Sequence, residues 1–169
     1  MMKVIRTTST IGIAILMLGV GCAGPTVEGD SAFGNSNITV LDADPESRRY
    51  TLYVRKPDGR WFHGAGKFAF ERMAPDVMTV SDTQRQTILD AMRRAGWLDG
   101  DLVVDTGTGP RYLEVKMSGN LVNRKFEMLA TDDRFDPGSE EVLSVLREVA
   151  QQRYDEVLDA LPKGSPSGS

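Results

Sequence analysis

The sharpest chemical signal is Asp105-Thr106-Gly107, preceded by Leu102-Val103-Val104 and followed by Thr108-Gly109. It sets a carboxylate and a hydroxyl on a glycine turn after an apolar run. His63 is the only histidine. It lacks a partner cysteine, and no Gly-x-Ser-x-Gly elbow is present; beside Gly64 it reads as a strand-end residue. Asp132, Asp133 and Asp136 lack the alternating ligands and terminal Glu of a calcium loop, and instead favour the N-terminus of a following helix. With a single Cys and a single His, neither an intrachain disulfide nor a zinc site is expected. No phosphate-cradling glycine motif occurs. No metal or cofactor is expected.

The Asp105 motif resembles the active-site motif of aspartic proteases. That resemblance implies two carboxylates sharing a proton around a water, which one motif per chain supplies only in a homodimer of the retroviral type; in Asp105-Thr106-Gly107, Asp105 would be the acid/base and Thr106 would brace the loop. The family places strands before the motif, whereas here an amphipathic helix precedes it. Its later apolar-apolar-Gly element is replaced by Leu121-Val122-Asn123. The residues themselves read as a polar loop, Asp-Thr-Gly-Thr-Gly-Pro, leading into a strand at Tyr112. The protein is therefore read as a non-enzymatic module, with the protease as the alternative.

The lone cysteine has a different context. Lys3 and Arg6 precede an uncharged stretch from Thr7 to Gly21 with an apolar centre at Ile11 to Val20, the layout of a signal peptide. Its length, about 15 Å as helix, falls short of a bilayer span. The stretch ends in Leu18-Gly19-Val20-Gly21-Cys22, which resembles the lipobox of bacterial lipoproteins, with Gly19 where that family usually has Leu. The resemblance implies cleavage before Cys22, acylation of its thiol and attachment to the cell envelope. In a Gram-negative host, Ala23 after the cysteine implies the outer membrane, facing the periplasm. Cleavage after Ala23 is the competing reading, since Gly21 and Ala23 satisfy the small-residue rule of secretory signals.

The formal net charge is −4, and loss of Lys3 and Arg6 makes the exported chain more acidic. Without a basic cluster, it is not expected to neutralise phosphate, which argues against nucleic-acid binding. Membrane attachment is expected to rest on the acyl chains.

Residues 1–21 are thus read as signal peptide, 22–37 as a flexible tether, 38–161 as one domain and 162–169 as a disordered tail. Within the domain, Ile38 to Leu41 is a short strand, and Tyr50 to Arg55 alternates with Tyr50, Leu52 and Val54 on one face. Lys56-Pro57-Asp58-Gly59-Arg60 has hairpin-turn chemistry and pairs Arg55 with Trp61. After a bend at Gly64-Ala65-Gly66, Lys67 to Met73 is expected to continue the strand with Phe68 and Phe70 on one side. Ser81 to Gln84 fits a capping box, opening a helix that carries Ile88, Leu89, Met92 and Ala95 and ends near Gly96. Tyr112 to Met117 alternates. A two-residue turn at Gly119-Asn120 would set Met117 against Val122, Val115 against Arg124 and Leu113 against Phe126. A last helix, Ser139 to Leu161, bears a stripe of Val142, Leu146, Val149, Ala150, Tyr154, Val157, Leu158 and Leu161.

These elements predict an α+β domain: an antiparallel sheet of two hairpins plus a short N-terminal strand, with two helices on one face. The pattern resembles an uncharacterised domain of small bacterial lipoproteins, which supports the fold and implies no activity. The expected role is a lipid-anchored binding or structural accessory. Tyr53, Trp61 and His63, on one face of the first hairpin, are its candidate contact residues for an envelope protein or a glycan.

Overall fold

The computed structural model describes residues 34–99, 107–119 and 123–160, with side chains of 153, 154 and 156–160 excepted. Six strands form one antiparallel sheet in the order β4-β3-β2-β1-β5-β6. They are β1 (Asn37–Asp44), β2 (Arg49–Arg55), β3 (Trp61–Ala65), β4 (Asp76–Met78), β5 (Tyr112–Ser118) and β6 (Asn123–Leu129). Among the described residues, three helices join them: α1 (Lys67–Phe70), α2 (Asp82–Arg94) and α3 (Pro137–Ala160). The signal peptide, Cys22 and the tail lie outside the described residues, and so does most of the tether.

The short apolar run at Ile38 becomes the central strand β1, between β2 and β5. Both of its faces are covered, so consecutive residues Val40 and Leu41 are each buried. This explains a near-continuous apolar run in place of alternation. Ile38 and Val40 join Tyr53, Trp61, Leu113, Val115 and Met117 under α2 and α3. Leu41, Ala43 and Leu52 face the other way and pack with Ala69 of α1. The two main helices therefore share one face of the sheet, as expected, and a single turn of helix sits on the other.

That turn replaces the strand expected over Lys67 to Met73. Strand β3 ends at Ala65, and the chain folds back as α1 before β4 pairs with β3, Trp61 opposite Met78. The reversal needs a close backbone approach at Gly64, where an added Cβ would lie 2.2 Å from the Met73 carbonyl oxygen. A glycine there reads locally as a bend; the crossing chain that requires it is a tertiary contact.

The capping box at Ser81 forms: Oγ accepts from Gln84 N at 3.2 Å and Gln84 Oε1 from Ser81 N at 2.9 Å. Two of the four otherwise unpartnered first-turn donors are satisfied at the start of α2. The second hairpin differs from expectation by two residues. Met117 pairs with Arg124, Val115 with Phe126 and Leu113 with Met128, so pairing ends at Ser118 and Asn123 instead of closing on a two-residue turn. The expected partner Val122 lies outside the described residues. An even shift keeps every side chain on its face, so the apolar pattern permits both registers. Tertiary contacts favour the observed one: the Phe126 ring meets Trp97 edge-on at 5.7 Å, and Arg124 donates to the carbonyls of Gly96 at 3.3 Å and Trp97 at 2.9 Å beyond α2. Arg124, the one polar residue on that face, serves the C-terminal end of a helix, where cations are favoured.

Candidate functional site

The hairpin residues come first. The turn forms as expected, Arg55 pairs with Trp61, and Tyr53, Trp61 and His63 share one face. That face is not open, however. Trp61 is 1% exposed, Tyr53 2% and His63 7%. The large rings supply the apolar area that α2 and α3 cover, so the aromatic face belongs to the core and Trp61 presents no surface to a partner. Phe62, on the opposite face, is half-buried. Arg55 shares the core face and is fully buried. Its Nη1 donates to Ser36 O at 2.8 Å and Gly34 O at 3.3 Å, drawing the segment before β1 against the domain.

Asp105 and Thr106 lie outside the described residues. Gly107 is buried, and a Cβ there would come within 2.5 Å of the Leu129 and Ala130 carbonyl oxygens. Gly109 N donates to Ala130 O at 2.9 Å. The glycines of this motif thus let the chain lie against the end of β6, a structural reason for the Gly-Thr-Gly pattern. Asp132 and Asp133 occupy a left-handed turn at φ 49° and 64°, and Asp136 Oδ1 accepts from Ser139 N at 3.0 Å, capping α3.

A polar concavity lies between α3 and the strands β1 and β2. A cavity of about 560 Å³ is lined by Asp42, Asp44, Arg49, Thr51, Arg111, Asp133, Arg134, Glu140 and Arg147. Period-two alternation places Thr51 beside Tyr53 on the helix-covered face of β2, and Asp42 beside Val40 on β1. Beyond Thr51 and Arg147, which line both, a second hollow of about 400 Å³ continues over Tyr53, His63, Ala150, Gln151 and Asp155. On α3, Arg147, Gln151 and Asp155 are four residues apart and so form one row along the groove.

The carboxylates of the first hollow are all engaged. Arg111 meets Asp42 through Nε at 2.9 Å and Nη2 at 3.0 Å, and its Nη1 reaches Glu140 at 3.0 Å. Glu140 also accepts from Phe135 N at 3.1 Å. The Arg111 guanidinium lies 4.5 Å from the Phe135 ring centroid. Arg49 bridges Asp44 at 2.8 Å and Asp133 at 3.8 Å. Hydrogen bonds from the Ser47 hydroxyl and from Arg49 hold the Asp44 carboxyl well below its ordinary range. Two guanidiniums therefore serve four carboxylates. Among the described residues, Arg134 and Arg147 enter no ion pair, and neither does Asp155 at the far end of the groove.

The Tyr53 phenol is pushed well above its ordinary value, chiefly by burial, with the Arg147 charge acting the other way. It stays protonated at neutral pH and keeps a donor at the groove floor. The arrangement is suited to binding: the guanidiniums of Arg134 and Arg147 line the hollow outside its ion pairs, and a guanidinium recognises a carboxylate or phosphate through a planar fork.

Of the expected contact residues, the structure brings Tyr53 and His63 to this groove and leaves Trp61 in the core. Arg147, Arg134, Thr51 and Asp155 carried no expectation. The four-residue spacing on α3 is legible as a polar row, but which side of the helix meets a cavity depends on how α3 lies on the sheet. Comparison with known protein families and with curated proteins finds no match for this chain.

Proposed function

We propose that this chain is a lipid-anchored envelope protein whose folded domain is a binding module, with the groove between β2 and α3 as its ligand site. The observation that carries the binding reading is the charge pairing in the groove. Every carboxylate of the larger hollow is tied to Arg49 or Arg111, while Arg134 and Arg147 have no ion-pair partner among the described residues. Unpaired guanidiniums lining a concavity of this size are available to a ligand without breaking an existing bridge. The anchor reading rests on the signal-like segment ending at Cys22, the only cysteine. In this reading attachment is through acyl chains on Cys22; no helix among the described residues is long and apolar enough to cross a membrane.

Two measurements test the proposal separately. Metabolic acyl labelling with Cys22→Ser as control tests the anchor: label on the wild type only is expected, and no label on either rejects it. A photo-reactive residue at Gln151 in intact cells tests the groove. A defined adduct, diminished by Arg147→Gln and absent when the probe sits at exposed Gln86 of α2, is expected. Equal labelling from both positions rejects the groove as the site.

A further inference from the structure

The groove carries complementary charge at a defined spacing along its length. Arg147 and Asp155 lie on the same row of α3, eight residues apart, which is about 12 Å at 1.5 Å per residue. Neither has an ion-pair partner among the described residues, and both line the hollow over Tyr53 and His63. Between them Gln151 offers an amide donor and acceptor, and Thr51 and Tyr53 offer hydroxyls. The cation end opens into the larger hollow, where Arg134 adds a second guanidinium.

We propose that the groove binds a short peptide carrying a free carboxyl terminus, with its carboxylate on Arg147 and Arg134 and its amino terminus toward Asp155. This deepens, and rests on, the reading of the groove as the ligand site. A span of about 12 Å matches about four residues of extended chain at roughly 3.3 Å each. A zwitterion of that length satisfies both ends at once. The peptide amides meet Gln151 and the hydroxyls of Thr51 and Tyr53, so desolvated backbone groups find partners.

A carboxylate fits better than a phosphate for an electrostatic reason. The larger hollow holds four arginines and four carboxylates, so its surplus attraction comes only from guanidiniums placed closer to the ligand than the acids are. A phosphate ion engages only this cationic end, where Asp42, Asp44, Asp133 and Glu140 offset the attraction, whereas a peptide zwitterion also places its amino group near Asp155. β2 also lies inside the sheet, between β1 and β3, so the peptide has no strand edge to extend. Recognition falls to side chains and terminal charges.

The test is calorimetric titration of the full-length protein in neutral detergent with tetra-alanine, its C-terminal amide, its N-acetyl form and inorganic phosphate. Tetra-alanine is expected to bind, with amidation weakening it ~10-fold, the equivalent of about 1.4 kcal/mol. Acetylation is expected to weaken it less, because the amino end meets the single carboxylate of Asp155 whereas the carboxylate end meets two guanidiniums. Arg147→Gln should lower the affinity of the free acid and abolish the difference between acid and amide; Asp155→Asn should abolish the difference between free and acetylated amino termini. Both residues are exposed and without ion-pair partners, so unchanged thermal melts are expected and the fold is held constant. Equal binding of acid and amide, an acid–amide difference that survives Arg147→Gln, tighter binding of phosphate than of tetra-alanine, or no binding of tetra-alanine overturns the proposal. An Arg147-dependent adduct from Gln151 in cells would then leave the groove standing as a site for a different ligand, whereas loss of that adduct as well rejects the site.

Discussion

Arg111 and Asp42 face each other across two hydrogen bonds, Nε to Oδ1 at 2.9 Å and Nη2 to Oδ2 at 3.0 Å. Their side chains are 12% and 15% exposed. The pair joins the entry of β5 to the middle of β1, and a third bond from Arg111 to Glu140 ties both to the first turn of α3. One guanidinium thereby joins β1, β5 and α3 at the wall of the groove.

Arg111→Met should accordingly destabilise the domain by on the order of 2 kcal/mol, since it leaves Asp42 largely covered and unpaired. Urea denaturation followed by circular dichroism measures this. An unchanged midpoint would show that the bridge contributes nothing net, as many more exposed ion pairs do.

Neighbouring aromatic residues on β3 should respond unequally. Trp61, 1% exposed, fills the core under α2 and α3, and Trp61→Ala should cost about 3–5 kcal/mol. Phe62 is half-buried on the opposite face beside Val54, and Phe62→Ala should cost roughly 1–2 kcal/mol. Equal losses in thermal or urea unfolding would contradict this assignment of faces.

Acid should destabilise the fold through its engaged carboxylates. Burial pushes the Glu114 carboxyl up, but hydrogen bonds from Arg72 and Lys116 together outweigh it and hold it below its ordinary value. Asp44 is held low by Ser47 and Arg49. A carboxyl whose folded pKa lies below its unfolded one binds fewer protons when folded. Its contribution is complete above the unfolded value, about 4, and fades as pH falls through the lower folded value. Melting temperature should therefore be level near neutrality and fall below about pH 4. Glu114→Gln, with one such group removed, should show a shallower fall. An equal slope in the two proteins would remove Glu114 from the account.

Gly107→Ala should destabilise the domain, because its Cβ would stand 2.5 Å from two backbone carbonyl oxygens. Asp105→Asn should leave tetra-alanine binding unchanged. Cleavage of a peptide at acid pH, blocked by a statine-type inhibitor and abolished in Asp105→Asn, would instead establish the aspartic-protease alternative.

Local patterns determined much of the architecture. The alternation of Leu113, Val115 and Met117, the Ser81–Gln84 capping box and the Pro57-Asp58-Gly59 turn each specify an element through neighbours close in sequence, and all three are present. The α+β class followed from their order. What depends on contacts distant in sequence was not legible. Lys67 to Phe70 has the apolar content of a strand; it turns into α1 because β4 returns along β3 and Gly64 admits the crossing backbone. Alternation placed Tyr53, Trp61 and His63 together correctly, but a period of two is symmetric between the faces of a sheet. Only the docking of α2 and α3 decided which face became core. The groove was hidden for the same reason. The four-residue spacing of Arg147, Gln151 and Asp155 marks a polar row on a helix and nothing more; the docking of α3 on the sheet sets that row, with Asp42 of β1, around one groove. Which arginines remain without a bridge is likewise a matter of pairings across 69 residues of chain, as between Asp42 and Arg111, and local spacing carries no information about them.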